Sequence, residues 1–272
     1  MPEAKGNETG TQSTQDKSFQ ISPPAITLPK GGGAIRGMGE KFAANPVTGT
    51  GSMSVPIATS QGRGGFGPQL SLSYDSGAGN GPFGLGWNLS LPSITRKTDK
   101  GLPLYRDEQE SDVFILAGAE DLVPVPGADG SPLTQTIPVH GVQYRVRTYR
   151  PRIEGLFTRI ERWVRVGAPS DMFWRTLSKD NITTWYGKTA ESRITDPNDS
   201  QRTFQWLICE THDDKGNVVT YHYQQDDAAG VVTTSVEESN RTAAQRIANR
   251  YLDRIRYGNL KPYLPKLDET GT

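Results

Sequence analysis

The chain has 272 residues with 30 basic and 30 acidic side chains, a formal charge of zero, so no global field gathers nucleic acid or an anionic membrane. That length suffices for one large domain or two small ones with a sizeable core. A single cysteine, Cys209, excludes an internal disulfide and leaves the redox compartment open.

Residues 1–17 (MPEAKGNETGTQSTQDK) read as a flexible polar tail without the apolar stretch of a cleaved secretory signal. No apolar run approaches the ~18 residues of a spanning helix, so membrane insertion by this chain is not expected. The 30 glycines and 19 prolines exceed their usual ~12 % share, yet aromatic and β-branched residues stay frequent. That mixture predicts many short strands and tight turns rather than disorder. The expected class is all-β, mostly antiparallel sheets and hairpins with at most one short helix. Residues 18–272 form one β domain in this reading. A Gly/Pro-rich, sandwich-like unit over 18–105 passes into a hairpin-rich sheet over 106–272 that is cut short at its C-terminus.

Phe19 and Ile21 open an extended segment held non-helical by Pro23, Pro24 and Pro29. Gly31-Gly32-Gly33 allows a close backbone approach before Ala34–Gly37 resumes extended chain. Asn45-Pro46 and Thr48–Gly51 signal turns, and Ser52–Ile57 alternates as a strand. Over Gln69–Tyr74, Leu70, Leu72 and Tyr74 point one way and Gln69, Ser71 and Ser73 the other. Trp87, Leu89 and Leu91 repeat the pattern until Pro92 stops it. Val113–Leu116 and Leu122–Val125 flank a turn at 118–121. Val142, Tyr144 and Val146 oppose Gln143, Arg145 and Arg147 on another strand. Ile160, Val164 and Val166 form an apolar face broken at Arg162, which is either covered by the neighbours of Trp163 or at a sheet edge. Phe173–Leu177 and Ile182–Tyr186 flank a four-residue loop, and Thr203–Ile208 and Val218–Tyr223 flank a turn at 213–217. The strings NITTWYG and DDKGNVVTYHY share a strand–turn–strand form, a loose hairpin repeat. Ser239 or Asn240 caps a short helix through Thr242–Ala248, and Tyr251–Tyr257 returns to strand.

Several short strings imitate reactive sites. Gly79-Asn80-Gly81-Pro82-Phe83-Gly84 fits G-x-G-x-x-G, but a dinucleotide fingerprint must open a helix and this one runs through Pro82 into another strand. Asp75-Ser76-Gly77 is like a serine-protease nucleophile, yet His140, His212 and His222 all lie downstream, where that order of triad does not place its base. Cys209, His212 and His222 make a legal three-ligand count for zinc, but Cys209 and His212 differ by an odd number along one strand and so should face opposite ways. Asp196, Asn198 and Asp199 hold part of a calcium-loop pattern and read better as a turn. Glu108-Gln109-Glu110 has the Glu-x-Glu spacing of ADP-ribosyltransferases without their upstream Ser-Thr-Ser strand, so it reads as a solvated charge run. Arg145, Arg147, Arg150, Arg152, Arg159, Arg162 and Arg165 concentrate positive charge beside Tyr144, Tyr149 and Trp163, but Glu154 and Glu161 interrupt the stripe; an interface or an ion-paired sheet face is expected instead of nucleic acid. No residue is assigned to catalysis, cofactor binding or a metal, and no cofactor is called for.

The strings SPPAITLPKGGGAIRGMGEKFAANPVTGTGSMSVPI and GFGPQLSLSYDSGAGNGPFGLGWNLSLPSITRKTDKGLPLY resemble the SpvB N-terminal domain family. The same domain begins the B subunits (TcB, TcaC-like) of insecticidal toxin complexes. DVFILAGAEDLVPV, KDNITTWYG, RTFQWLICETHDDKGNVVTYHY and NRYLDRIRYGN resemble the same family continuing into Rhs-type hairpins. The resemblance runs from about Phe19 to Leu260. It implies a non-enzymatic, encapsulating part of a secreted bacterial toxin or virulence protein, made in the bacterial cytoplasm and exported without an N-terminal Sec signal. The implied partners are an Rhs-type C subunit or downstream toxin domain and a pore-forming A subunit. The actin-modifying transferase domain of SpvB lies outside the matching strings, so two alternatives stand beside the shell: part of an actin ADP-ribosylating toxin whose enzymatic domain is on other residues, and a glycan- or surface-binding β module.

Overall fold

The computed structural model describes residues 41–44, 49–118, 120–153, 158–227 and 229–265. The polar tail at 1–17, the extended opening at Phe19 and Ile21, the glycine run at 31–33, the 34–37 segment and the Asn45-Pro46 turn lie outside them. The chain is all-β, and among the described residues every strand pairing is antiparallel.

β1 (Lys41–Ala44), β2 (Gly51–Ile57), β3 (Leu70–Asp75) and β6 (Trp87–Leu89) make a four-stranded sheet in the order β1-β2-β3-β6. β4 (Asn80–Gly81) and β5 (Gly84–Leu85) form a small hairpin between β3 and β6. Tyr74 and Trp87 are cross-strand partners with ring centroids 5.2 Å apart, the kind of aromatic pair that fixes register.

The hairpins from residue 93 onward close on themselves. β7 (Ser93–Arg96), β8 (Phe114–Leu116), β9 (Glu120–Pro124), β11 (Val142–Pro151), β12 (Arg159–Arg165), β13 (Ala168–Leu177), β14 (Thr183–Tyr186) and β16 (Thr203–His212) follow one another in a sheet. β16 pairs with β7 on one side and with β14 on the other, so these eight strands form a barrel. β10 (Thr134–Val139) extends the ladder of β11 beyond the reach of β9, and β15 (Arg193–Thr195) pairs with β16 below β14. β17 (Val218–Gln225) and β18 (Arg250–Arg256) prolong the sheet from β16. The one α-helix among the described residues, α1 (Ala243–Arg246), is capped by Thr242 and not by Ser239 or Asn240. The Thr242 hydroxyl accepts from the Gln245 backbone N–H, while the Gln245 side chain returns to the Thr242 N–H.

Period-two alternation sends one set of residues inward. Ile94, Phe114, Leu116, Leu122, Tyr149, Ile160, Val164, Met172, Trp174, Tyr186, Trp206 and Ile208 fill the lumen as one buried cluster, joined by Val219 and Tyr221 of β17. An eight-stranded ring is about wide enough to be filled by side chains, and here aromatic rings do most of the filling. Phe114 packs edge-on to Trp174 and to Trp206 at 4.9 and 5.7 Å between centroids. The opposite set, Val146, Trp163, Phe173, Trp185 and Cys209, makes a second buried cluster on the outer wall. Phe66, between β2 and β3, and Leu91, just after β6, pack on the lumen cluster, and the Ser60 and Tyr257 hydroxyls meet at 2.7 Å.

Arg162 is neither at an edge nor covered by the neighbours of Trp163. It points into the barrel on the same face as Ile160 and Val164, 3 % exposed. Val166, expected on that apolar face, lies past the end of β12 and is 57 % exposed.

Candidate functional site

Two constellations rise above ordinary packing: a charged plug at the barrel lumen and an aromatic pocket on its outer wall.

The plug comes from residues 97–113, the long connection between β7 and β8, and three of its carboxylates, Asp107, Glu110 and Asp112, turn toward inward-facing guanidiniums. Arg96 places Nη1 2.6 Å from Asp107 and 2.7 Å from Asp112, Nη2 2.9 Å from the other Asp107 oxygen, and donates from Nε to the Thr203 carbonyl oxygen at 2.8 Å. Its side chain has no solvent exposure and that of Asp112 only 4 %. Glu110 accepts from Arg147 and Arg162, and from the Tyr149 hydroxyl at 2.7 Å. The Phe114 ring lies between the two buried guanidiniums, 5.1 Å from Arg96 and 5.4 Å from Arg162. Three cations therefore meet three carboxylates, with Arg96, Arg162 and Asp112 nearly out of contact with solvent and Asp107, Glu110 and Arg147 partly open to it. Tyr105 and Glu110 hold positive φ values of 58° and 50°, backbone that a non-glycine residue keeps only when its surroundings impose it.

Burial pushes the Asp112 carboxyl up, but the backbone N–H groups of Leu104 and Tyr105 and the Arg96 guanidinium outweigh it and hold the acid below the ordinary aspartate value of 3.8. A depressed folded-state value means that Asp112 stabilises the fold above its unfolded value and loses that contribution as pH falls through the folded one. Unfolding free energy from urea titrations is therefore expected to drop as the pH is taken below about 4. A stability that stays flat or rises over that interval contradicts this account of the plug.

The enzyme-like strings resolve into turn chemistry. In the glycine run, a Cβ on Gly81 would lie 2.4 Å from the Trp87 carbonyl oxygen, so β4 and β5 simply turn back on β6. Asp75 accepts the Gly77 N–H at 2.8 Å, and the Ser76 hydroxyl accepts the Gly51 N–H at 2.9 Å, tying the turn to β2. Asp196 and Asp199 accept the backbone N–H groups of Asn198 and Gln201. Glu108-Gln109-Glu110 is not a solvated run throughout: Glu108 pairs with Arg145 at the surface, while Glu110 is locked in the plug. The arginine stripe is largely consumed by ion pairs, with Arg145 and Arg147 on Glu108 and Glu110, Arg152 on Asp121 and Arg159 on Glu161.

Parity misleads for Cys209. A bulge between Trp185 and Tyr186 shifts the β14–β16 register, so Cys209 packs beside Trp185, whose cross-strand partner is Glu210. The Cys209 thiol donates to the Trp185 carbonyl oxygen at 3.3 Å, and burial pushes it up from the ordinary thiol value. His212 Nδ1 lies 3.1 Å from Glu210, whereas His222 Nδ1 faces Glu191 at 3.6 Å.

The outer-wall pocket has a volume of about 470 Å³ and is lined by Tyr144, Trp163, Phe173 and Trp185, with Asp171 and Lys188 among its polar groups. β11, β12, β13 and β14 each contribute one ring, because the outward residues of adjacent staves stand side by side. Nothing in the sequence marks this pocket, since its rings lie at one face of four separate hairpin strands. Among the described residues no helix is long and apolar enough to cross a membrane.

Comparison with known proteins fits this architecture. The mono(ADP-ribosyl)transferase SpvB of Salmonella typhimurium is 36 % identical over 247 residues, covering 89 % of this chain; the chain spans 39 % of that relative's length. The SpvB of Salmonella dublin matches over the same shares. The N-terminal domain of the effector SpvB from Salmonella typhimurium strain LT2 superposes with a TM-score of 0.68 at 36 % identity, over 77 % of this chain and 64 % of that one. The TcdB2–TccC3 structure matches with a TM-score of 0.72 at 34 % identity, over 92 % of this chain and 12 % of that one. The Photorhabdus luminescens Tc holotoxin pore matches with 0.71 at 34 % identity, over 90 % and 11 %. With the model of the Salmonella virulence plasmid 65kDa B protein also matching residues 45–271, the chain belongs to the SpvB family.

Proposed function

We propose that this chain is a non-enzymatic structural module of a secreted bacterial toxin or virulence assembly, a piece of wall that houses or presents a toxic partner. The observation that carries the reading is its likeness to a small part of much larger toxin assemblies, nearly all of this chain against 12 % of the TcdB2–TccC3 match. A wall element needs a rigid sheet with its polar groups spent on structure. The plug fits that need, because Glu110, the second acid of the Glu-x-Glu spacing, is held by Arg147, Arg162 and Tyr149. The mono(ADP-ribosyl)transferase name of the SpvB relatives favours the second reading, membership of a toxin whose transferase domain lies on other residues. The partners proposed for the chain are an Rhs-type subunit of the TccC3 kind and the pore-forming component of such a complex.

The test combines association with activity. The chain is expected to co-elute with a TccC3-type subunit in size-exclusion chromatography, and to move no label from radioactive NAD to actin, the acceptor that the family resemblance implies. Separate elution sinks the wall reading. Label transfer that disappears in Glu110→Ala replaces it with an enzyme.

A further inference from the structure

The four-stranded sheet has an apolar face whose side chains belong to neither buried cluster of the barrel. Its register sorts the two faces. Met53, Tyr74 and Trp87 stand in one cross-strand row, Val55, Leu72 and Leu89 in the next, and Ile57 and Leu70 in a third. The alternate rows hold Ser52 with Asp75, Ser54 with Ser73 and Asn88, and Pro56 with Ser71. On that polar face the Ser52 and Ser73 hydroxyls donate to the Ala43 and Asn88 carbonyl oxygens.

None of the apolar side chains in the first three rows is buried, and Ile57 is 42 % exposed. Phe66 and Leu91 reach the lumen cluster, but both lie outside the strands. A sheet with one apolar face calls for a second layer over it.

The size of the face narrows what that layer can be. Three strands about 4.8 Å apart, up to seven residues long at about 3.3 Å each, present roughly 300 Å². Stable interfaces between separate chains bury about 800 Å² on each side. A second copy or a separate partner held by this face alone is therefore disfavoured. A segment of the same chain loses far less freedom on docking, because its tether keeps it at high local concentration.

The chain ahead of β1 has the matching composition. Residues 19–29, FQISPPAITLP, carry no charge and include Phe19, Ile21, Ile26 and Leu28. Such a run meets an apolar face with no ion to desolvate. Pro23, Pro24 and Pro29 lack the N–H that a ladder needs, which favours side-chain contact over addition of a fifth strand. Residues 30–40, with the glycines at 31–33, separate this run from β1 and reach about 36 Å when extended. The sheet is only about 14 Å across from β1 to β6.

We propose that residues 19–29 lie across the apolar face of the four-stranded sheet and form its second layer. The inference goes beyond the wall role and does not depend on it.

The test uses the full chain with the photo-crosslinking residue p-benzoylphenylalanine in place of Leu89, which is half-buried on the apolar face of β6. Irradiation is expected to link that position to residues 19–29, with the linked peptides mapped by mass spectrometry. Mixing light and heavy isotope-labelled chains separates links within one molecule from links between copies. Replacement of Met53 on β2 is a second probe of the same face. Asn88, exposed on the polar face, is the control position and should not link to residues 19–29. Ile26→Asp combined with Leu28→Asp is expected to abolish the link and to raise the fluorescence of a dye that binds apolar surface. Links between copies, links to other parts of the chain, or no link from either probe overturn the proposal. So does a link that survives the double substitution.

Discussion

Replacing Arg96 with methionine is expected to cost about 3–5 kcal/mol of folding free energy, the loss seen when one partner of a buried ion pair is removed. Methionine keeps much of the volume but leaves Asp112, with a side chain 4 % exposed, without its counter-ion and the Thr203 carbonyl oxygen without the Arg96 donor. It also strips two hydrogen bonds from Asp107 and the cation from the faces of Tyr105, Phe114 and Trp206. For a chain of this size the thermal midpoint should fall by roughly 10 °C. Arg96→Lys should recover part of the loss, since an ammonium carries the charge but lacks the planar fork that spans both Asp107 oxygens. Arg241→Ala is the control: its pair with Glu238 leaves the arginine 42 % exposed, and such surface pairs contribute about 0–1 kcal/mol. If Arg96→Met loses no more than Arg241→Ala in urea titrations, the plug carboxylates relax into water and the lumen is not sealed as described.

Trp206→Ala is expected to be about as severe, roughly 3–5 kcal/mol, because a large aromatic side chain leaves a cavity in a closed lumen. Trp206 is completely buried and packs edge-on to Phe114 and Trp174. Its indole N–H donates to the Met172 carbonyl oxygen at 2.9 Å, tying β16 to β13 across β14. The neighbouring chain has shaped itself to the ring: Gly187 has φ of 66°, and a Cβ there would stand 2.3 Å from Trp206 Cδ1. Trp206→Phe should lose less, keeping a ring while giving up the hydrogen bond. Equal urea midpoints for Trp206→Ala and the unaltered chain would mean that the eight strands do not enclose this side chain.

Most strands were legible because alternation is a local property. Leu70, Leu72 and Tyr74 against Ser71 and Ser73, or Val142, Tyr144 and Val146 against their arginine neighbours, need no tertiary context to show two faces. Closure was not legible, and β7 explains why. Its inward residues are Ile94 and Arg96, so the stave that joins β8 to β16 carries one apolar and one charged residue just after a proline. Arg162 hid in the same way, breaking an apolar face because its counter-ion, Glu110, is 52 residues away. Glu110 itself drew notice for the wrong reason, its spacing from Glu108. Tyr144 and Tyr149 sat together in the arginine-rich stretch, yet five positions along a strand put them on opposite walls, one in the pocket and one in the lumen. The bulge at Cys209 reversed a parity argument that an unbroken ladder would have supported.

Ring closure also imposes an order of events during synthesis. The Nε of Arg96 finds the Thr203 carbonyl oxygen 107 residues later in the chain. At about 5–20 residues per second, β7 leaves the ribosome roughly 5 to 20 seconds before the strand it must join. Throughout that interval β7 shows an unpaired ladder edge, an open template for pairing with other nascent chains. The hairpins β11–β12 and β13–β14 pair near neighbours and fold meanwhile, whereas the final seam waits for translation to reach its far side.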